Sequence, residues 1–497
     1  MISSHGGRRP RGRADRRGSL ARIGITIALR SALLPVVCIA PALLPFAASP
    51  LWAQGSDALE TPADAPAHTT LVYPPFGHTL GIHRANPTHL RIFLGGRTTF
   101  DDPQGVAAVK FASDDDPIAK GDDFQLTLFG VNAGRGEIIY NSSMQTLAVF
   151  GREGSGEGQF RAPRGITAHP DGRVYVADLG NRRVVRLRWD MGGHRLMWVG
   201  TWAAAEPHDV AVDSRGNVFV ADREQDAVLR FPETTAGADS PLLPLSPIEG
   251  DRWPLPADVE DPVALAVADS LDLWYRPDHY RLYLVDQGGA RLRIYDDVGR
   301  VLAETTPASV GPGAGRFGYL ALDFHGNVYV TDPVREAIVK FDPELALLDV
   351  FSGPGDPEGA LDEPRGIAIW RRFGQVFIAE REGASYFFVG ADLRPADGAL
   401  QVRRSESSWS FDLFLTEAAH VTATFLDAAG DTLASVGPGE TVGVGAQVMS
   451  WDASEWTRSP IEGWEERASK LVVEARPTYS SRKKFARVRE FTVEWAD

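Results

Sequence analysis

Two stretches of this chain share one cadence in different letters: "PRGITAHPDGRVYVADLGNRRVVRL" from Pro163 to Leu187 and "PHDVAVDSRGNVFVADREQDAVLRF" from Pro207 to Phe231. Each has a Pro-led apolar run, a turn, a "VYVAD"-like run and a further apolar run. The pattern returns from Pro262 ("PVALAV", "RLYLVDQGGARLRIY"), from Gly318 ("GYLALDFHGNVYVTDPVREAIVKF") and from Pro364 ("PRGIAIWRRFGQVFIAEREGASYFFV"). A degraded copy opens the series with "PQGVAAVKF" from Pro103 and "GEIIYNSSMQTLAVF" from Gly136. The starts at 103, 163, 207, 262, 318 and 364 lie about 40 to 60 residues apart, the period of a solenoid, propeller or array. A unit this short cannot bury its own apolar face, so the copies must stack on one another.

Strand chemistry selects among these architectures. The runs are rich in Val, Ile, Phe and Tyr and are bounded by turns such as "PDG", "SRGN" and "FHGN", which excludes helical solenoids. A four-stranded antiparallel sheet per copy, set radially, protects the strand edges, so six copies predict an all-β, six-bladed β-propeller. The stretch "GREGSGEGQFRAPRGITAHPDGRVYVADLGNRRVVRL" resembles an NHL repeat in its Gly-rich lead-in, its "F…PRGI" entry and its "VADLGNRRV" turn. The resemblance implies an NHL-type propeller over residues 69–395. "HLRIFLGG" (His89 to Gly96) reads as a lone strand that completes the last sheet, whose own copy lacks a fourth.

After "ADLRPADG" the period stops. Short alternating strands follow: "SWSFDLFL", "AHVTATFL", "QVMSWDASEW", "KLVVEARPTY" and "REFTVEWAD". They predict a β-sandwich over residues 396–497. The run "VTATFLDAAGDTL…MSWDASEW" resembles the immunoglobulin-like domain of flagellar hook-capping (FlgD-type) proteins. "LDAAGDTL" would then be a hairpin, Trp451 a core residue and Asp452 a turn cap.

Ahead of the repeats, Arg8, Arg9, Arg11, Arg13, Arg16, Arg17 and Arg22 precede an apolar run from Ile23 to Ala48, and the small-residue spacing in "SPLWAQ" suggests cleavage after Ala53. Residues 1–53 are therefore expected to be a signal peptide and 54–68 a flexible linker. Arg16-Arg17 before "GSLA" loosely resembles a twin-arginine signal, with ordinary Sec export the alternative. Pro35, Pro41 and Pro45 break the apolar run and no other segment is long enough to span a bilayer, so no membrane span is expected in the mature chain. The expected location is outside the cytoplasm, periplasmic or secreted. Cys38 is the only cysteine and lies in the leader, so disulfides, thiolate metal sites and a Cys nucleophile are excluded beyond it. The net charge is −15; residues 1–53 carry eight Arg and one Asp, leaving −22 on the remainder, which disfavours nucleic acid and anionic membranes as partners.

The most regular polar position ends each "VYVAD": Asp178, Asp222, Asp286 and Asp332, with Glu380 and Asn141 in the divergent copies. Sameness of this kind serves a fold, and these side chains are expected to accept backbone N–H groups of the following turn. Sites need difference. The first strand of each blade lines the central channel, and the residues just after the leading Pro are Gln104, Arg164, His208, Val263, Tyr319 and Arg365. Around the ring, Arg365, Gln104, Arg164 and His208 form a polar, cationic arc facing Val263 and Tyr319. Such a mouth suits a carboxylate, phosphate or acidic peptide end. The structural alternative pairs Arg164 and Arg365 with acids such as Asp362 or Glu363.

The eleven His are scattered and only His208 falls at the predicted entrance, whereas a zinc site needs three or four convergent ligands. His169 and His325 are expected in surface turns. "SDDDP" (Ser113 to Pro117) and "GDD" (Gly121 to Asp123) lack the ligand spacing of a calcium loop and read as solvated turns. No catalytic residue, metal or cofactor is assigned. The expected function is an exported, non-catalytic binding or scaffolding protein of the cell envelope whose propeller presents a face or channel mouth to a protein, peptide or glycan. The alternative is a metal-dependent lyase or hydrolase acting in the channel.

Overall fold

The β-branched and aromatic runs form strands, because their stiff side chains suit a pleated surface, and the Gly, Asp and Asn clusters between them turn the chain. A computed structural model describes residues 70–73, 83–112, 126–142, 146–232, 250–272, 274–353, 360–479 and 485–496. The expected leader (1–53) and linker (54–68) and the acidic stretches at 113–117 and 121–123 lie outside the described residues.

Six antiparallel sheets follow one another, each a meander in chain order. Their inner strands are Pro103–Val109, Ile166–Ala168, Pro207–Val212, Ala264–Ala268, Leu320–Leu322 and Ile367–Trp370. The first five sheets supply their own four strands; the sixth contributes only Ile367–Trp370, Gln375–Glu380 and Gly383–Val389. Its outer position is filled from the N-terminal side. Leu71 pairs with Val389 and Val72 with Phe388, and further along the same strand Arg84 pairs with Ser385 and Ala85 with Ala384. This all-β array of four-stranded sheets is consistent with a β-propeller.

The closing segment is not the expected one. Pro87–Leu94 is an α-helix, so His89 to Gly96 forms no strand. The reason lies just upstream: the Asn86 side chain accepts the N–H groups of Thr88 and His89 at 3.0 and 3.1 Å, Pro87 presets the first turn, and Gly95 ends the helix at φ 62°.

Inner strands of neighbouring sheets touch through their backbones. Gly105 N–H donates to Arg164 O at 3.1 Å and Gly165 N–H to His208 O at 3.0 Å. A Cβ on Gly105 would lie 2.8 Å from Arg164 O, and one on Gly366 would lie 2.2 Å from Gln104 O. The Gly of "PQG" and "PRG" is therefore demanded by this close approach.

The repeated acids tie each sheet to its own entry loop rather than mainly to the following turn. Asp178, Asp222, Asp332 and Glu380 accept the N–H of Arg161, Ala205, Arg316 and Asp362 at 2.8, 2.7, 3.1 and 2.8 Å. Asp222 and Asp332 also cap the turns after them, through Gln225 N–H and through Val334 and Arg335 N–H. Asp286 instead takes both forks of Arg291. In the first sheet this role belongs to Asn132, which accepts Asp101 N–H at 2.8 Å, and not to Asn141, which bonds Leu128 N–H one strand further out.

Beyond the repeats, two five-stranded sheets share an aromatic core in which Trp451 sits within 5.6 to 6.1 Å of the rings of Phe411, Trp456 and Phe425. Asp452 accepts Ser454 N–H at 2.7 Å as a turn cap. Ala419–Leu426 and Thr432–Val436 form the expected hairpin, its turn held by Asp427 accepting Ala429 and Asp431 N–H. Pairing in these sheets already begins at Leu393–Pro395, against Ser408–Leu415.

They rest on the end of the ring opposite the entry of the inner strands. There Lys340 Nζ meets Glu417 Oε2 at 2.6 Å, with side-chain exposures of 1% and 0%. Burial pushes the Glu417 carboxyl up, and Lys340 pulls it back. The Glu417 carboxylate also accepts Ala418 N–H, and the Lys340 ammonium lies 4.9 Å from the Tyr329 ring centre. Removing one partner of such a pair strands the other charge. Lys340→Met is expected to cost about 3–5 kcal/mol, with Lys340→Met/Glu417→Gln recovering a large part, read from urea unfolding midpoints. Leu71→Ala, at a fully buried position of the closing strand, is expected to cost about 2–5 kcal/mol in the same assay.

Candidate functional site at the channel mouth

The six entry positions named from the repeat meet in one place. Gln104, Arg164, His208, Val263, Tyr319 and Arg365 all line a cavity of about 380 Å³ at the head of the inner strands, joined by Arg223, Arg316, Thr331 and Glu363. Below it the inner strands wall a second chamber of about 180 Å³, and Tyr319 lines both.

The charge pattern differs from the expected arc. Asp102, held at φ 53° just before the first inner strand, bonds Arg365, accepts Arg164 Nη1 at 3.3 Å and accepts Gln104 Nε2 at 2.8 Å. Arg365 also reaches Glu363 at 3.3 Å. Both arginines are thus paired, as the structural alternative expected, but Asp362 is not their partner: it holds Arg381 at 2.8 Å. Asp102 was not foreseen. The sequence set it apart little, since Glu206, Asp261 and Glu363 precede the Pro of other copies in the same way.

His208 belongs to the other side of the ring. Its Nδ1 lies 2.6 Å from Val263 O and so carries the proton toward that carbonyl, and its ring stacks toward Tyr319 with centroids 6.2 Å apart. Burial pushes its pKa down to about 4, with Arg164 and Arg223 adding repulsion, so it is neutral at pH 7 and adds no charge to the mouth. Its Nε2 is then an acceptor.

Two buried donors at the mouth have no hydrogen-bond partner among the described residues: Tyr319 Oη and Arg164 Nε. Burial holds the Tyr319 phenol above its ordinary range, so it remains an O–H donor. Arg316 and Arg223 add guanidinium groups to the wall, the first anchored by Gly288 O at 2.8 Å and the second by Asp261.

Asp209 stands where the copies from Pro103, Pro163 and Pro364 have Gly, a departure visible as "PHD" against "PQG" and "PRG". Its carboxyl accepts Leu265 N–H at 3.0 Å, and burial raises its pKa to about 7. The other two histidines lie away from the mouth. His169 pairs with Asp171 at 3.0 Å in a turn, whereas His325 is no simple surface residue: its Nε2 meets Thr478 Oγ1 at 2.8 Å where the C-terminal sheets pack. Among the described residues no group of three or more His, Cys, Asp or Glu is placed to hold a metal ion.

The chain carries NHL repeats. The repeat matches residues 160–187 and 205–231, the second and third sheets' inner three strands. No curated protein matches the sequence. Similar solved structures include virginiamycin B lyase from Staphylococcus aureus (12% identity, 53% of this chain and 76% of that one, TM-score 0.36). A streptogramin B lyase shares 14% identity over 61% of this chain and 96% of that one, TM-score 0.39. A gluconolactonase from Xanthomonas campestris shares 15% over 64% and 97%, TM-score 0.40.

Asp209 makes the channel wall sensitive to pH. A carboxyl whose folded pKa is about 7 contributes stability that is complete below its unfolded value and is lost as pH rises through 7. Asp209→Asn keeps the acceptor for Leu265 without the charge. It should melt above the parent at pH 8, by up to about 4 kcal/mol, with the gap closing by pH 4.

Proposed function

We propose that this is an exported, non-catalytic binding protein of the cell envelope, a six-bladed NHL-type propeller whose channel mouth takes an acceptor-bearing group of a protein, peptide or glycan. The FlgD-type immunoglobulin-like sandwich carries it from the far face. The observation that supports this most is the pair of unpartnered buried donors, Tyr319 Oη and Arg164 Nε, in one cavity. Each such donor costs about 1–3 kcal/mol when left unmade, and an incoming carboxylate or carbonyl oxygen removes that cost.

Asp102 and Glu363 neutralise much of the Arg164 and Arg365 charge, so the mouth recognises by directed hydrogen bonds more than by bulk potential. The signal-like leader supports export, and the acidic remainder argues against nucleic acid.

Tyr319→Phe tests the reading cleanly, since the lost hydroxyl has no partner among the described residues. Its melting temperature should match the parent, while affinity for a partner captured from envelope extract falls about tenfold. Arg164→Glu/Arg365→Glu also removes the partners of Asp102, so it is assayed where its melting curve shows it folded, and there it should abolish capture. Identical capture by the parent and both variants would remove the mouth from consideration.

A further inference from the structure

The inner strands run from the mouth toward the opposite face, from Pro103 to Val109 in the first sheet. On that face the fourth copy carries the insertion "LDLWYRPDHY", which crosses its neighbours. Asp272 bonds Arg371 of the last sheet, and its carboxylate also accepts Trp274 and Tyr275 N–H at 2.9 and 3.1 Å, which fixes the turn. Arg371 in turn donates to Leu322 O of the fifth sheet at 3.2 Å, and both Arg371 and Leu322 line the inner chamber.

Aromatic rings extend the cover. Trp274 packs edge-on against Trp370 with centroids 6.2 Å apart, and Arg372 lies 5.7 Å from the Trp274 ring centre. The Tyr275 ring sits where any Cβ on Gly326 would fall, 2.3 Å away. The C-terminal sheets hold the same face: Tyr479 lies against Gly374 and Thr478 on His325.

We infer that the channel is a one-ended chamber, its far end closed by Asp272, Trp274, Tyr275 and Arg371, so that the occupant of the mouth is a compact terminal group that enters and leaves head-first. The middle of a polymer cannot thread it. This rests on reading the mouth as a binding site for the occupant, but the closure itself is tested without any ligand.

In the full chain with Cys38→Ser, single cysteines are placed at Val106 and Ala108, which line the chamber at increasing depth. A small sulfonate-bearing thiosulfonate reagent should label Ala108→Cys at least tenfold more slowly than Val106→Cys. Adding Asp272→Ala/Trp274→Ala should abolish that difference. Equal rates in the intact chain overturn the closure, and the intact comparison decides alone where the opened variant does not fold. The same thiosulfonate reagent tethered to the end of a polymer tail separates the sources: labelling of Val106→Cys by both reagents upholds the end of a chain, and labelling by the free reagent alone upholds a small molecule. A closed channel with unchanged partner capture in the mouth variants would leave the closure standing and reject the binding reading.

Discussion

A row of radially set sheets has two loose ends, and the rest of the structure depends on how they are joined. Leu71 and Val72 add the outer strand to a sheet otherwise completed more than three hundred residues later, against Val389 and Phe388. On the inside of the same seam Asp102, from the first sheet, holds Arg365 from the last and Arg164 from the second. The ring is thus clamped at both radii. Without the seam Gly366 would not meet the Gln104 carbonyl, and the six entry residues would not share a cavity. Edge strands are a liability for any sheet protein; radial packing leaves each sheet short, protected edges, and the N-terminal pairing covers Gly383–Val389, which its own copy leaves without an outer neighbour.

The same acid that closes the ring shapes the chemistry of the mouth. By spending its oxygens on two arginines and Gln104, Asp102 orients those side chains and cancels much of their field. What is left unpaired at the mouth is directional: the phenol of Tyr319 and the Nε–H of Arg164, beside the neutral His208 as acceptor. The opposite face is already occupied. The Lys340–Glu417 pair is buried without exposure to water, so the C-terminal sheets are fixed to the ring rather than tethered loosely to it. With that face covered, the proposed reading assigns the mouth, at the other end of the channel, to the partner.

Much of this was legible in the residues. The repeat located every inner strand to within three residues, because Pro entries, apolar alternation and Gly-rich turns are local signals. The disagreement among copies picked out six residues that do line one cavity. What escaped was contact between distant parts of the chain. "HLRIFLGG" looked like a strand only because Asn86 and Pro87, the residues that start its helix, were left out of the window. Asp102 reads as a turn residue until the seam brings Arg365 beside it. His208 was counted with the cations, although burial against Val263 and Tyr319 keeps it neutral. The acid position of the first copy was set on Asn141 because that copy is interrupted; the register places Asn132 there.

The central claim is that the mouth holds two buried donors in wait for an acceptor from outside the chain. A high-resolution crystal structure of the protein isolated from its source organism tests it most directly. The account expects an acceptor atom of a bound group within about 3 Å of both Tyr319 Oη and Arg164 Nε. A mouth in which these two donors turn onto carbonyls or carboxylates of the protein itself, with no bound group, would contradict it.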